Sequence, residues 1–372
     1  MKKLLTKFLK IKAMRKLKIA QIAPIWYPIP PEKYAGTEKI VYYLTEELIK
    51  RGHDVTLFAS GDSKTSAKLI SDRKRSLTED KIPWEDIFLG LEHFALSFKK
   101  IRESNFDIVH THGGAKSIFF QNFIKTPLVY TSHGLLSPVS KKLPPLFEVL
   151  ENYKEKLNMC FISEAQRKLC PVKFKNSWVV YNGIDVNLFR FNSKPENYFI
   201  WVGRVEPKKG IENAIKVAKI AKIKLYLVGK IDPEKEEYFQ TVIKPQLSEK
   251  IKYLGELSQK KLVNLYKKAR ALIFPLEWNE PFGLTMAESQ ACGTPVITFK
   301  FGSTPEVVKD KKTGFVVPFL DKNRKKNIEG ILEAIKNIDK IKRENCRKFV
   351  EENFTLEKMI DNYEKIYYQL IK

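Results

Sequence analysis

The chain has 372 residues, 43% of them hydrophobic and 30% charged. That balance excludes a disordered protein, and the length favours about two domains over one small core. The net charge of +24 is spread as lysines over predicted helix faces, without the Arg-rich block or aromatic-interleaved stripe of a nucleic-acid module, so no nucleic-acid partner is expected. Most of the charge reads as solvated surface, and a smaller share as attraction to an anionic membrane face. No run reaches the length of a transmembrane helix. Cys160, Cys170, Cys292 and Cys346 form no CxxC pair, which points to a reduced, cytosolic chain without a disulfide framework.

The opening residues, MKKLLTKFLKIKA, set Leu4, Leu5, Phe8 and Leu9 at helical spacing among Lys2, Lys3, Lys7 and Lys10. This is the pattern of a basic amphipathic helix lying in a membrane interface. Lys7 and Lys10 interrupt the apolar run and make it a poor signal peptide. The competing reading is a start at Met14 preceded by a frayed extension.

From Lys16, strand and helix alternate. LKIAQIAP reads as a short buried strand, and a loop with Pro24, Pro28, Pro30 and Pro31 follows. Gly36 and Thr37 open a helix with Ile40, Val41, Leu44 and Leu48 on one face, and Gly52 ends it. Further strands are expected at DVTLFAS, FDIVHTH, PLVYTSH, NMCFIS and WVVYN. The pattern pauses over residues 189–197 and restarts with the strand YFIWVG and a helix from Gly210. KLYLVG, IKYLG, RALIFP, TPVITF and GFVVP supply the remaining strands. A last helix, from about Leu356 to Leu370, has no strand after it and is expected to pack back across the first half. The alternation predicts an α/β protein with parallel sheets covered on both faces: two doubly wound, Rossmann-like domains facing a cleft. The expected divisions are a basic extension at 1–15, domains at 16–190 and 191–354, and a returning helix at 355–372.

In such sheets ligands bind beyond the carboxyl ends of the strands, so the loops there carry the candidates. EPFGLTMAE, from Glu280 to Glu288, places two carboxylates around a turn that opens a helix. Gly283 lets backbone amides approach a ligand, and Leu284 and Thr285 begin a helical turn whose free N–H groups suit a diphosphate. Glu288 lies on the same helix face as Leu284, where it can accept ribose hydroxyls, and Glu280 can meet the hydroxyls of a sugar. The plainer reading is a loop and a core helix with solvated glutamates. In GRVEPKKG, Arg204 and Lys209 bracket a loop leading into a helix: a diphosphate clamp or a charged surface turn.

Gly36 precedes Thr37 and Glu38 at a strand-to-helix junction, near the phosphates or the acceptor, or simply as a helix start. The absence of GxGxxG argues against a nicotinamide or flavin oxidoreductase. His53 follows Gly52 in a turn and reads as structural. His110 and His112 point to one side of a strand end, a geometry open to a metal, but no third ligand is evident. His133, in YTSHGLL, sits just past a strand in a loop at the cleft.

Together these segments resemble glycosyltransferase family 4, retaining enzymes of the GT-B fold. The resemblance runs through YAGTEKIVYYLTEELIKRGHDVTLF, DIVHTHGG, TSHG, FISEAQRK, VVYNGID, VGRVEPKKG and EPFGLTMAESQACGTPVITFKFGSTPEVV. The last contains the family's pair of glutamates separated by seven residues, with its Pro-Phe-Gly core. The resemblance implies that the first domain takes the acceptor and the second a nucleotide-sugar donor. Arg204 and Lys209 would hold the donor diphosphate, and Glu280 would contact the donor sugar, assisted by the amides of Phe282 and Gly283. Leu284 and Thr285 would approach the phosphates, Glu288 the ribose, His133 the transferred sugar, and Gly36 the donor from the first domain. One position departs: Ala35 stands where similar proteins often carry a second glycine, and its methyl restricts approach.

The implied activity is retaining transfer of a hexose from a nucleotide diphosphate sugar to a hydroxyl of a glycan, lipid-linked or small-molecule acceptor. No cofactor or metal is expected, and the location implied is cytoplasmic or peripheral at the inner membrane face. Two rivals are a nucleotide-sugar epimerase of similar shape, which needs no acceptor, and a non-catalytic basic protein recruited by charge alone to membranes or nucleic acid.

Overall fold

A computed structural model describes residues 15–33, 35–137, 144–321 and 323–372. The predicted amphipathic stretch at residues 1–13 lies outside the described residues. The first sheet is entirely parallel and contains β1 (Lys18–Ile22), β2 (Asp54–Phe58), β3 (Lys68–Ile70), β4 (Ile108–Thr111), β5 (Leu128–Ser132), β6 (Asn158–Phe161) and β7 (Asn176–Val179), in the order 3-2-1-4-5-6-7. The second, also parallel, contains β8 (Phe199–Val202), β9 (Leu225–Val228), β10 (Ile251–Tyr253), β11 (Ala271–Phe274), β12 (Val296–Phe299) and β13 (Gly314–Val317), in the order 10-9-8-11-12-13. Each sheet reverses its winding once, between β1 and β4 and between β8 and β11.

The strands are short, nearly continuous apolar runs because helices cover both of their faces. β4, β5, β6, β8, β11 and β12 are buried along their whole length. On helix Gly36–Lys50 the predicted face of Ile40, Val41, Leu44 and Leu48 is buried. Two details differ from the sequence reading. The short edge strand β3 was not expected, since its half-exposed Lys-Leu-Ile carries little pattern. β7 also pairs over Asn176–Val179, earlier than WVVYN implies. The four cysteines are buried free thiols. Among the described residues no helix is long and apolar enough to cross a membrane.

The C-terminal helix, Leu356–Leu370, returns to the first sheet. Its Met359, Ile360, Tyr363, Ile366 and Tyr367 join a core with Leu17, Ile40 and Leu44. His53 accepts from the Leu17 amide through Nδ1 (3.1 Å) and pairs through Nε2 with Glu364 of this helix (2.8 Å).

Polar groups of the same helix reach into the sheet and join a hydrogen-bonded run of three histidines. Gln21 Nε2 donates to Tyr367 Oη (3.3 Å), and the same hydroxyl is hydrogen-bonded to His110 Nδ1 (2.6 Å). His110 Nε2 is hydrogen-bonded to Thr131 Oγ1 (2.7 Å). With its amide group donating, Gln21 accepts through its carbonyl from His112 Nε2 (3.0 Å), which leaves His112 Nδ1 to accept from His133 Nε2 (2.9 Å). All three rings are neutral in this chain. Burial pulls His133 down to about 4 and holds His110 and His112 well below their ordinary value.

Two outcomes follow from this docking. Tyr367→Phe leaves His110 and Gln21 with unmet hydrogen bonds in the core and should cost about 1–3 kcal/mol in urea unfolding; a change of only a few tenths would show that the network contributes little. Below about pH 6.5 the unfolded chain takes up protons at these histidines, whereas native His133 stays neutral until about pH 4. Stability should therefore fall as pH drops through that window, and fall less in His133→Gln; a midpoint that rises on acidification would contradict the assignment.

Candidate active site

At the β1/β4 reversal the loops after the two strands open a crevice, and the same happens at β8/β11. These are the places where doubly wound sheets bind ligands. The two crevices face each other across a cavity of about 730 Å³ bordered by both halves.

The second half builds one wall from two loops. After β8, Arg204 is ion-paired with Glu206 (2.7 Å) and Asp232 (3.5 Å), while Lys208 pairs with Glu206 (2.9 Å) and Lys230 with Asp232 (3.1 Å). These three cations face two carboxylates, so the group keeps an excess positive charge. Lys209 is largely buried because the Trp201 indole donates to its carbonyl (3.0 Å) and draws the loop inward. After β11, Glu280 Oε2 accepts from both Lys209 Nζ (2.7 Å) and the Trp278 indole (2.9 Å), and the Lys209 ammonium lies 4.4 Å from the centre of the Trp278 ring.

Gly283 ends that loop at φ +86°, in the left-handed region, where a Cβ would lie 2.2 Å from Met286 Cε. The turn needs glycine there, and it delivers Leu284 and Thr285 as the first residues of helix Leu284–Ala291. Their amides have no carbonyl one turn back to receive them, so the positive end of the helix faces the cavity.

The first half supplies the opposite wall. Gly36 borders the cavity within reach of Leu284 Cδ1, and Ala35 is extended at φ −175°. His133 borders it too. Its Nε2 is spent on His112, so its Nδ1 lone pair is a neutral hydrogen-bond acceptor suited to a sugar hydroxyl.

The fold thus brings Arg204, Lys209, Glu280, Phe282, Gly283, Leu284, Thr285, His133 and Gly36 to one cavity. Phe282 meets it mainly with its backbone, because its ring is buried against Phe354 (5.5 Å between centroids). Glu288 is not among the residues that border the cavity. It lies one turn deeper, almost fully buried, in an ion pair with Lys39 of the first half (2.8 Å). His110 and His112 spend their nitrogens on protein partners, and among the described residues no three acidic, histidine or cysteine side chains group as a metal cage. Residues not foreseen as site members are Trp278, Lys230, Asp232, Trp26, Tyr27, Trp84 and Glu38. Only Glu38 carried a local signal, its place beside Gly36 and Thr37.

Comparison with known proteins gives two adjoining matches. The Glycosyltransferase Family 4 model covers residues 34–188, and the Glycosyl transferases group 1 model covers 186–353. A glycosyltransferase of Methanocaldococcus jannaschii, itself uncharacterized, is 26% identical over 87% of this chain and 93% of its own length. Among solved structures, sucrose-phosphate synthase from Thermosynechococcus elongatus superposes with a TM-score of 0.78 at 21% identity, covering 96% of this chain and 99% of that one. An Anabaena protein solved with UDP-glucose superposes at 0.72 with 18% identity, covering 95% and 100%. The fold is that of the GT-B glycosyltransferases, and the chain belongs to the glycosyltransferase family defined by these two domains.

Proposed function

We propose that this enzyme is a retaining hexosyltransferase that moves a hexose from a nucleotide diphosphate sugar to an acceptor hydroxyl. The observation that carries the reading is the convergence of Arg204, Lys209 and the helix start at Leu284 and Thr285 on one wall of the cavity. Together these groups match a diphosphate in charge and in donor geometry. The Anabaena structure, solved with UDP-glucose, supports a nucleotide sugar as the donor class.

In this reading the bond between the anomeric carbon and the diphosphate oxygen breaks with its electrons passing to the diphosphate. Arg204 and Lys209 hold the charge that builds there, and preorganised cations in a drained cleft are strongly catalytic. The acceptor oxygen bonds to the anomeric carbon on the face the diphosphate leaves, and its proton passes to the departing phosphate oxygen. No side chain is assigned as a covalent nucleophile. Arg204 and Lys209 supply the positive charge, so no metal ion is invoked. Glu280, held by Lys209 and Trp278, takes hydroxyls of the transferred sugar together with His133 Nδ1, while Glu288 takes the ribose once Lys39 yields or shares its carboxylate. The buried cysteines fit a reduced compartment, and the basic balance fits the inner membrane face.

A nucleotide sugar that binds only the folded state raises its melting temperature. Among UDP, GDP and ADP sugars at saturating concentration, at least one should do so by several degrees; no shift with any of them would count against the reading. Arg204→Ala should lower turnover of that donor by about 100- to 1,000-fold with little change in the ligand-free melting temperature, since the side chain is about a third exposed. Near-normal turnover would remove Arg204 from the clamp. Release of an isomerised nucleotide sugar without any acceptor would favour an epimerase instead.

A further inference from the structure

One part of the cavity wall is not used by the donor chemistry above. Trp26 and Tyr27 follow β1, and Trp84 lies on the long connection before helix Phe88–Arg102. All three border the cavity. The Trp26 and Trp84 rings stack at 4.2 Å and 27°, and Tyr27 leans on Trp84 at 6.0 Å. Trp84 is 42% exposed, so part of the stack is left accessible.

Beside it lies Glu38, which borders the same cavity although its side chain is almost wholly buried. Among the described residues no cation pairs with it. Burial raises its carboxyl to about 7, opposed only by its own backbone amide. Near neutrality it can therefore accept or donate a hydrogen bond. The wall is also tied to the donor side. Lys230 of the second half donates to Tyr27 Oη (3.1 Å) and lies over the Tyr27 and Trp84 rings (5.6 and 6.0 Å). Asp232 then links Lys230 to Arg204.

Building on the glycosyl-transfer reading, we propose that Trp26, Tyr27, Trp84 and Glu38 form the acceptor subsite and that the acceptor is a carbohydrate. A pyranose has an apolar C–H face and a rim of hydroxyls. Its face lies on the aromatic stack, and Glu38 holds one hydroxyl of the rim while another hydroxyl oxygen attacks the anomeric carbon. An acyl or isoprenoid chain would cover the aromatic wall but offer the Glu38 carboxyl no hydroxyl to bond. The Lys230–Asp232 link places this subsite next to the leaving diphosphate.

The test uses the full chain loaded with the nucleoside diphosphate that stabilises it most, and follows tryptophan fluorescence during titration with methyl glycosides of glucose, mannose and galactose, with maltose, and with hexanol. At least one saccharide should give a saturable change. Its half-saturation concentration should rise by about tenfold or more in Trp84→Ala and in Glu38→Gln, since each loses a stacking face or the carboxyl's hydrogen bond, while nucleoside diphosphate affinity stays within twofold of wild type. The conservative Trp84→Phe should recover part of the loss. Three results overturn the proposal: hexanol but no saccharide producing the change, no response to any saccharide in the panel, or weakened nucleotide binding in Trp84→Ala, which would assign the stack to the donor base. Failure of wild type to bind any nucleoside diphosphate would instead remove the underlying donor reading.

Discussion

The chemistry of the cleft depends on how the backbone of residues 279–283 is held. Gly302 and Ser303, which follow β12, grip that loop from beneath. Gly302 N donates to Asn279 Oδ1 (3.1 Å), Ser303 N to Glu280 O (2.9 Å) and Ser303 Oγ to Phe282 O (2.8 Å). The approach is close enough that a Cβ at Gly302 would lie 2.5 Å from Glu280 O. With the loop fixed there, the Glu280 carboxylate reaches Lys209 and Trp278, and Gly283 turns the chain so that the Leu284 helix starts at the cavity. Rigid backbone is what lets hydrogen-bond donors wait for charge rather than reorganise around it.

The same segment fastens the two halves together. Glu306, three residues past Ser303, accepts from the amides of Glu164 (2.9 Å) and Ala165 (2.6 Å) at the start of a first-half helix, and from Tyr181 Oη (2.8 Å). Lys39–Glu288 and Tyr27–Lys230 cross the cleft nearer the cavity. Glu288 and Tyr27 are also residues proposed to meet substrate, so on that reading donor and acceptor binding would act on contacts that join the two halves. Closing a cleft of this kind excludes water and protects the donor from hydrolysis.

Much of this was legible in the sequence. Alternating apolar runs and helical periodicity located nearly every strand, because strands buried on both faces must be apolar. The Pro-Phe-Gly turn marked the loop that opens helix Leu284–Ala291 at the cavity, because a left-handed residue before a helix demands glycine. What stayed hidden depends on partners far apart in the chain. Nothing local to Glu288 reveals Lys39, 249 residues away, and nothing in YTSHGLL reveals that His133 Nε2 is taken by His112, which is itself bonded to Gln21. Trp26, Tyr27 and Trp84 read as ordinary loop aromatics until the fold stacks them. β3 and the early pairing of β7 escaped notice because edge positions tolerate polar residues.

The central claim is that a nucleotide's diphosphate is seated by Arg204, Lys209 and the amides of Leu284 and Thr285. The most direct measurement is a crystal structure of the enzyme with a bound nucleoside diphosphate. The account predicts diphosphate oxygens within hydrogen-bond distance of both cationic side chains and of at least one of those amides. Density for the diphosphate elsewhere in the cleft, with Arg204 and Lys209 still paired only to Glu206, Asp232 and Glu280, would contradict it.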